Sequence, residues 1–248
     1  MWLVIGDPAD RAAVWACEGL RKRGLAPLEL LTPDALIRSA RQEHRVGHDG
    51  TSFRVHLDDG RPLDSGDIRG VLNRIVRAPV RPPVLVTRAD SDYAADELNA
   101  LMLSWLLCVA PVTVNRPSPV GFCGAWRSTA EWSVLAARAG LPVPVLTLSG
   151  RTGAAPQDRP ATHSLVVFEE QVFWGERQPD ARCLHEVVPA CVRLARLADT
   201  QLLGVGLCHD GTSVCFTGAT PVPDLRLGGD ALVDGLHRHF AGVPVTAG

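Results

Sequence analysis

Apolar positions in the first forty residues fall into two short runs, each followed by a stretch of helical spacing. Trp2 to Ile5 is the first run, Gly6-Asp7-Pro8 turns the chain, and Asp10 to Arg23 carries Val14, Cys17 and Leu20 on one face before Gly24 stops it. Leu28 to Leu31 is the second run. Thr32 then offers an N-cap and Pro33 a first helical position, which predicts a short helix to Arg41. This βαβα beginning predicts a parallel sheet. From Thr51 the period changes to two. Phe53, Val55 and Leu57 alternate with Arg54 and His56, Asp58-Asp59-Gly60 makes a turn, and Gly70 to Ile75 supplies another apolar strand.

The stretch Asp90 to Pro144 has the strongest pattern. Leu98, Leu101, Met102, Trp105, Leu106 and Val109 form one wide helical face that Pro111 ends. Ser128 and Glu131 have capping-box spacing ahead of a second helix, with Trp132, Leu135, Ala136 and Ala139 as its buried stripe and Gly140 as its stop. Further on, Leu165–Phe168 and Gln171–Trp174 flank Glu169-Glu170 as a hairpin. Val187, Val188, Cys191, Leu194, Ala195 and Ala198 mark a helix. Leu203–Leu207 and Val214–Phe216 pair across His209-Asp210-Gly211, and Leu232, Val233, Leu236 and Phe240 mark a last packing helix. The segment SGRTGAAPQDRPATH, near 149–163, reads as a Gly/Pro/Ala linker.

Composition narrows the function classes. The 248 residues are 46% hydrophobic and 21% charged, enough for a sizeable core, and the net charge of -2 argues against a nucleic-acid surface. No apolar run approaches the roughly 20 residues of a membrane span, and no basic region precedes Trp2, so neither a membrane anchor nor a signal peptide is predicted and the chain is read as cytoplasmic. The seven cysteines are an odd number spread over a large chain, which reads as mostly buried thiols, with Cys17, Cys108 and Cys191 on apolar helix faces. Cys123 and Cys208 are the candidate nucleophiles; Cys123 precedes a helix N-terminus, where a thiolate is favoured. The pairs Cys183-x-His185, Cys208-His209 and His237-x-His239 contain the candidate metal ligands, Cys208, His209, His237 and His239, but none has structural-zinc spacing and no metal is predicted. The turn GDPADR has one glycine and lacks the dinucleotide fingerprint. Arg74, Arg77 and Arg81 read as solvated or as holding the Asp90–Asp96 segment by charge.

The order of these elements, with GVLNRI, DYAADELNALMLSWL, PVTVNRP and GLPVP in sequence, resembles the ATP-grasp ligases, especially the RimK-like branch that modifies peptides and protein tails. Asn115-Arg116-Pro117 and Gly140-Leu141-Pro142-Val143-Pro144 carry the match, and Leu202 to Phe240 resembles the closing strands and last helix. The resemblance implies an α/β fold in which residues 1–117 form a pre-ATP-grasp-like parallel-sheet lobe and residues 118–248 a reduced ATP-grasp-like α+β lobe. It also implies a nucleotide-contacting lysine at the start of the second helix, where this chain has Gly124-Ala125-Trp126-Arg127. The implied Mg2+ carboxylates would fall near Gly206 and Thr217-Gly218-Ala219, and the 149–163 linker is too short for the nucleotide clamp. The expectation is therefore a truncated, degenerate ATP-grasp-like chain without a cofactor that binds a partner protein or peptide. Arg74, Asn115, Arg116, Trp126, Arg127 and Trp132 are its candidate binding residues, an aromatic-and-arginine set suited to a peptide. The alternatives are a carboxylate-amine ligase completed by a partner chain, and a small-molecule or metal carrier.

Overall fold

The computed structural model describes residues 1–39, 41–48, 50–76, 87–145, 161–175, 181–210 and 213–242, apart from the side chains of 181–184, 209, 210 and 213. Arg77, Arg81, most of the 149–163 linker and the Gly211 turn lie outside the described residues. The chain divides into two compact units, Met1–Ala125 with Leu236–Gly248, and Trp126–Gly235.

In the first unit β1 (Trp2–Ile5), α1 (Arg11–Lys22) and β2 (Leu28–Leu31) follow the apolar pattern, and Asp10 caps α1 by accepting from the amides of Ala12 and Ala13. Helix α2 (Pro33–Ile37) is shorter than predicted. Its end is fixed when Gln42 Nε2 donates to the carbonyls of Leu36 and Ile37 at 2.8 and 3.2 Å. The chain then forms an unpredicted strand, β3 (Arg41–Gly47), which pairs with β4 (Gly50–His56); β5 (Pro62–Asp64) completes this three-stranded antiparallel sheet. The predicted turn at Asp58-Asp59-Gly60 is present, with Gly60 at φ 81°.

Strand β6 (Gly70–Asn73) leads through α3 (Arg88–Cys108) to β7 (Thr113–Val114). The parallel sheet has the order β2-β1-β6-β7 and every neighbouring pair runs parallel, as the βαβα pattern predicts. Alternation along β1 and β6 gives this sheet two apolar faces. Leu3, Ile5 and Val71 join Met102, Trp105 and Leu106 of α3 and Phe53, Val55 and Leu63 of the small sheet in one core. Val4 and Leu72 point the other way, the side on which α1 packs with Ala13, Ala16 and Leu20. Leu98 and Leu101 lie on the predicted face of α3 but are only half-buried.

The second unit opens with α4 (Thr129–Ala139), whose Ser128–Glu131 capping box forms as read from the sequence and whose Gly140 cap has φ 89°. Strands β8 (His163–Phe168) and β9 (Gln171–Trp174), helix α5 (Ala181–Leu197), and strands β10 (Leu202–Asp210) and β11 (Ser213–Thr220) follow. The sheet order is β11-β10-β8-β9, antiparallel throughout. One face buries Leu165, Val167, Leu203, Val205, Leu207 and Phe216 under Trp132, Ala136 and Ala139 of α4 and Val187, Cys191 and Leu194 of α5. Helix α6 (Gly229–Ala241) buries Leu232, Val233 and Leu236. Among the described residues no helix is long and apolar enough to cross a membrane.

Candidate functional site

Open parallel sheets bind ligands at the carboxyl ends of their strands, where the strand order reverses direction. Here the chain moves from β1 outward to β2 on one side, and from β6 outward to β7 on the other, so the switch point lies between β1 and β6. Gly6 and Asp10 follow β1; Asn73 and Arg74 end β6. Each is placed by its own strand end, and the parallel register sets Ile5 beside Asn73.

A buried polar knot fills this point. Arg74 is 6% exposed, and its Nε donates to Asp10 Oδ2 at 2.6 Å. Burial raises the Asp10 carboxyl, but the Arg74 hydrogen bond and charge and the amides of Ala13 and Ala12 outweigh it and hold Asp10 below the usual carboxylate range. Asn73 Nδ2 donates to the carbonyls of Asn115 and Phe122 at 3.2 and 2.7 Å, while its Oδ1 accepts from the Ile75 amide at 3.1 Å. Cys123 Sγ donates to the Asn73 carbonyl at 3.0 Å. The knot ties the Asn115-to-Cys123 loop to the carboxyl end of β6.

Two expectations are corrected here. Arg74 is not solvated but buried, and the Asp10 carboxylate, 64 residues earlier, makes that burial tolerable. Cys123 is not an activated thiol, because burial pushes it up to about 11, so the protonated form donates to Asn73. Asn115 is buried within the knot, and Arg116 is exposed, its carbonyl accepting from the Gly124 amide at 2.9 Å. Asp10 is the participant that sequence reading missed. Its position before α1 signals a cap but carries no sign of its second partner.

In the second unit Arg127 and Trp132 meet. The Arg127 guanidinium lies 5.1 Å over the Trp132 ring, and its Nη2 donates to the Ala198 carbonyl at 2.8 Å. Trp132 is in the core, whereas Trp126 is 71% exposed. Arg193 Nε donates to the Ala139 carbonyl at 2.9 Å, so each of α4 and α5 ends on an arginine from the segment carrying the other. In the β10–β11 ladder Gly206 pairs with Gly218 beside a bulge at Gly206/Leu207. A Cβ on Gly206 would meet Thr217 Oγ1 at 2.7 Å and Ala161 Cβ at 3.2 Å, whereas one on Gly218 would enter open space.

Of the candidate metal ligands, Cys208 is buried in β10, the His209 side chain lies outside the described residues, and His239 packs edge-on against Phe240 at 5.3 Å. Among the described residues no three His, Cys, Asp or Glu side chains converge on a possible metal position.

No protein-family model and no curated protein matches the sequence. Solved structures do match the fold. The macrocyclase MdnB from Microcystis aeruginosa MRC is 13% identical with a TM-score of 0.69, over 96% of this chain and 98% of that one. The ATP-grasp ligase PsnB, complexed with a minimal precursor, is 18% identical with a TM-score of 0.70, over 97% of each chain. A RiPP-associated ATP-grasp ligase from Chryseobacterium gregarium, in complex with ADP and a leader and core peptide, is 11% identical with a TM-score of 0.66, over 98% of this chain and 95% of that one. The parallel sheet with its switch point, the antiparallel sheet with its covering helices, and these likenesses along nearly the whole chain give this protein the ATP-grasp fold.

Proposed function

We propose that this chain is a non-catalytic binding protein built on the ATP-grasp fold, which recognises a peptide or a partner protein within a biosynthetic or peptide-modification complex. The observation that carries this reading is the Gly206–Gly218 pair. The family resemblance expects Mg2+ carboxylates at these positions, and two glycines offer no oxygen side chain to a cation that takes carboxylate and phosphate ligands. Arg127 supports the reading from a second direction. Near the expected nucleotide lysine stands a guanidinium engaged with Ala198 and Trp132. Without metal and lysine, phosphoryl transfer loses its main electrostatic stabilisation. The described residues at these positions therefore do not fit Mg2+ and ATP.

Peptide recognition is supported by the fold neighbours solved with precursor, leader and core peptides. Arg116 in the first unit and Trp126 in the second are the exposed members of the candidate set, and Trp126 is assigned the contact; Arg74, Asn115, Arg127 and Trp132 hold their respective frames. Calorimetry of the full chain with ATP and Mg2+ up to about 1 mM, the upper end of common substrate affinities, is expected to show no binding. Affinity purification with mass spectrometry is expected to retain a peptide or protein that Trp126→Ala loses. Tight Mg2+-dependent ATP binding would overturn the reading in favour of a ligase completed by a partner chain.

A further inference from the structure

Cys208 and Cys215 are Cα partners in the antiparallel β10–β11 ladder, and both are free thiols. Directly opposite residues project their side chains from the same face of a sheet. That face is the one turned away from α4 and α5, because Leu207, Val214 and Phe216, their immediate neighbours, belong to the helix-covered core. Gly206 and Gly218 pair further along the same ladder, beyond the bulge at Gly206/Leu207.

Hydrogen bonds fix the type of this pair. The Phe216 amide donates out of the ladder to the Pro142 carbonyl at 2.7 Å, and the Leu207 carbonyl accepts from the Thr162 amide at 2.8 Å. Leu207 and Phe216 are therefore a non-hydrogen-bonded pair, which makes Cys208 and Cys215 a hydrogen-bonded one. In such a pair the Cα atoms are about 5.5 Å apart, inside the span of roughly 4.4–6.8 Å that disulfides bridge. The Cβ atoms start about 5 Å apart and must close by about 1 Å, so the bond forms with strain and is readily reduced again.

We propose that Cys208 and Cys215 are a reversible oxidative modification site, closing an intramolecular cross-strand disulfide when the chain meets a small-molecule disulfide. The thiolate of one cysteine attacks the small disulfide, forming a mixed disulfide and releasing one thiol. The second cysteine then attacks the protein-side sulfur and releases the other. Two S–H bonds are lost and one S–S bond gained; the two protons and two electrons leave with the small molecule as two thiols. The pair is 6% and 9% exposed, so attack depends on local opening of the hairpin. Burial pushes up Cys17, Cys123 and Cys191 and keeps them protonated, whereas half-buried Cys108 has no cysteine opposite it in a ladder. Closure cross-links the hairpin beside the Gly206–Gly218 pair, and this site does not depend on the proposed binding function.

The full chain, treated with oxidised glutathione, alkylated and then digested, is the test. A mass loss of about 2 Da, one cross-linked peptide holding both cysteines, and reversal by dithiothreitol are expected. Cys208→Ser and Cys215→Ser should each lose the 2 Da species. Peptide mapping of the wild type identifies the pair even if a variant fails to fold. Retention of two alkylatable thiols, a persistent glutathione adduct on either cysteine, or the same 2 Da loss in Cys208→Ser would overturn the assignment.

Discussion

Removing the Asp10 carboxylate takes its anionic partner from the Arg74 guanidinium, whose side chain is only 4% exposed. Breaking a buried pair from one side costs about 3–5 kcal/mol. The Asp10 side chain is 20% exposed, so water reaches the pair and the lower end, about 3 kcal/mol, applies. Asp10 also caps α1 through two amides, worth about 1 kcal/mol. Asp10→Ala should therefore cost about 4 kcal/mol, and Asp10→Asn, which keeps a capping oxygen, about 2–3 kcal/mol. Arg74→Met should cost only about 1–2 kcal/mol, because the carboxylate left behind retains its two amide donors and its access to water. Urea unfolding at pH 7 measures all three as shifts in midpoint at constant slope. The double variant Asp10→Asn/Arg74→Met should recover at least about 1 kcal/mol of the summed losses. A larger cost for Arg74→Met than for Asp10→Asn, or a coupling below about 0.5 kcal/mol, would refute the account of a buried guanidinium held by Asp10.

The same pair sets a pH dependence. Because the folded-state pKa of Asp10 is depressed, its stabilisation is complete above the unfolded carboxyl value of about 3.9 and is lost as pH falls through the lower folded value; the gap between wild type and Asp10→Asn should be constant from about pH 5 to 7 and shrink below about pH 4. Arg127→Ala should lose about 1.5–3 kcal/mol in urea unfolding, from the Ala198 hydrogen bond and the Trp132 stack, so a lost binding signal must be read beside that curve. Cys123 should resist iodoacetamide at pH 7.5 in the folded chain, a pH well below its value of about 11, and react on unfolding; rapid native labelling would contradict its burial. Gly206→Ala should cost about 1–3 kcal/mol, through displacement of Thr217, whereas Gly218→Ala should be within about 0.5 kcal/mol of wild type, and the two melting curves decide.

Local physics was legible in the sequence, and long-range pairing was not. The bounds of β1 were readable because an inner parallel strand is a continuous apolar run, and those of β2 because Leu28, Leu30 and Leu31 stand out around Glu29. The Ser128–Glu131 box needs only residues three apart, so it could be read and is present. Strand β3 was hidden because RQEHRVG has no apolar alternation; its place is set by β4, which pairs with it along its whole length. The Asp10–Arg74 pair spans 64 residues, and no local signal distinguishes an arginine about to be buried from a solvated one. Arg127 was read as a candidate binding residue beside Trp126, and its hydrogen bond to the Ala198 carbonyl, 71 residues away, leaves no local signal in the sequence. Gly206 and Gly218 could be singled out through the family resemblance, but only the ladder register shows that they face one another.

The charge that concealed β3 also bears on what an open sheet edge can recruit. Strand β3 is the edge of its sheet, with Arg41 and Arg45 exposed and Glu43 paired to Arg45 at 2.6 Å. An open edge can recruit a strand from a neighbouring molecule unless charged side chains must be stripped of water to reach it. Replacing these residues by valine or threonine would make β3 easy to find in the sequence and convert the edge into a seed for intermolecular sheet growth. The polar text of this segment thus works against strand-to-strand pairing at the open edge, and its cost is a strand that hydrophobic patterning cannot see.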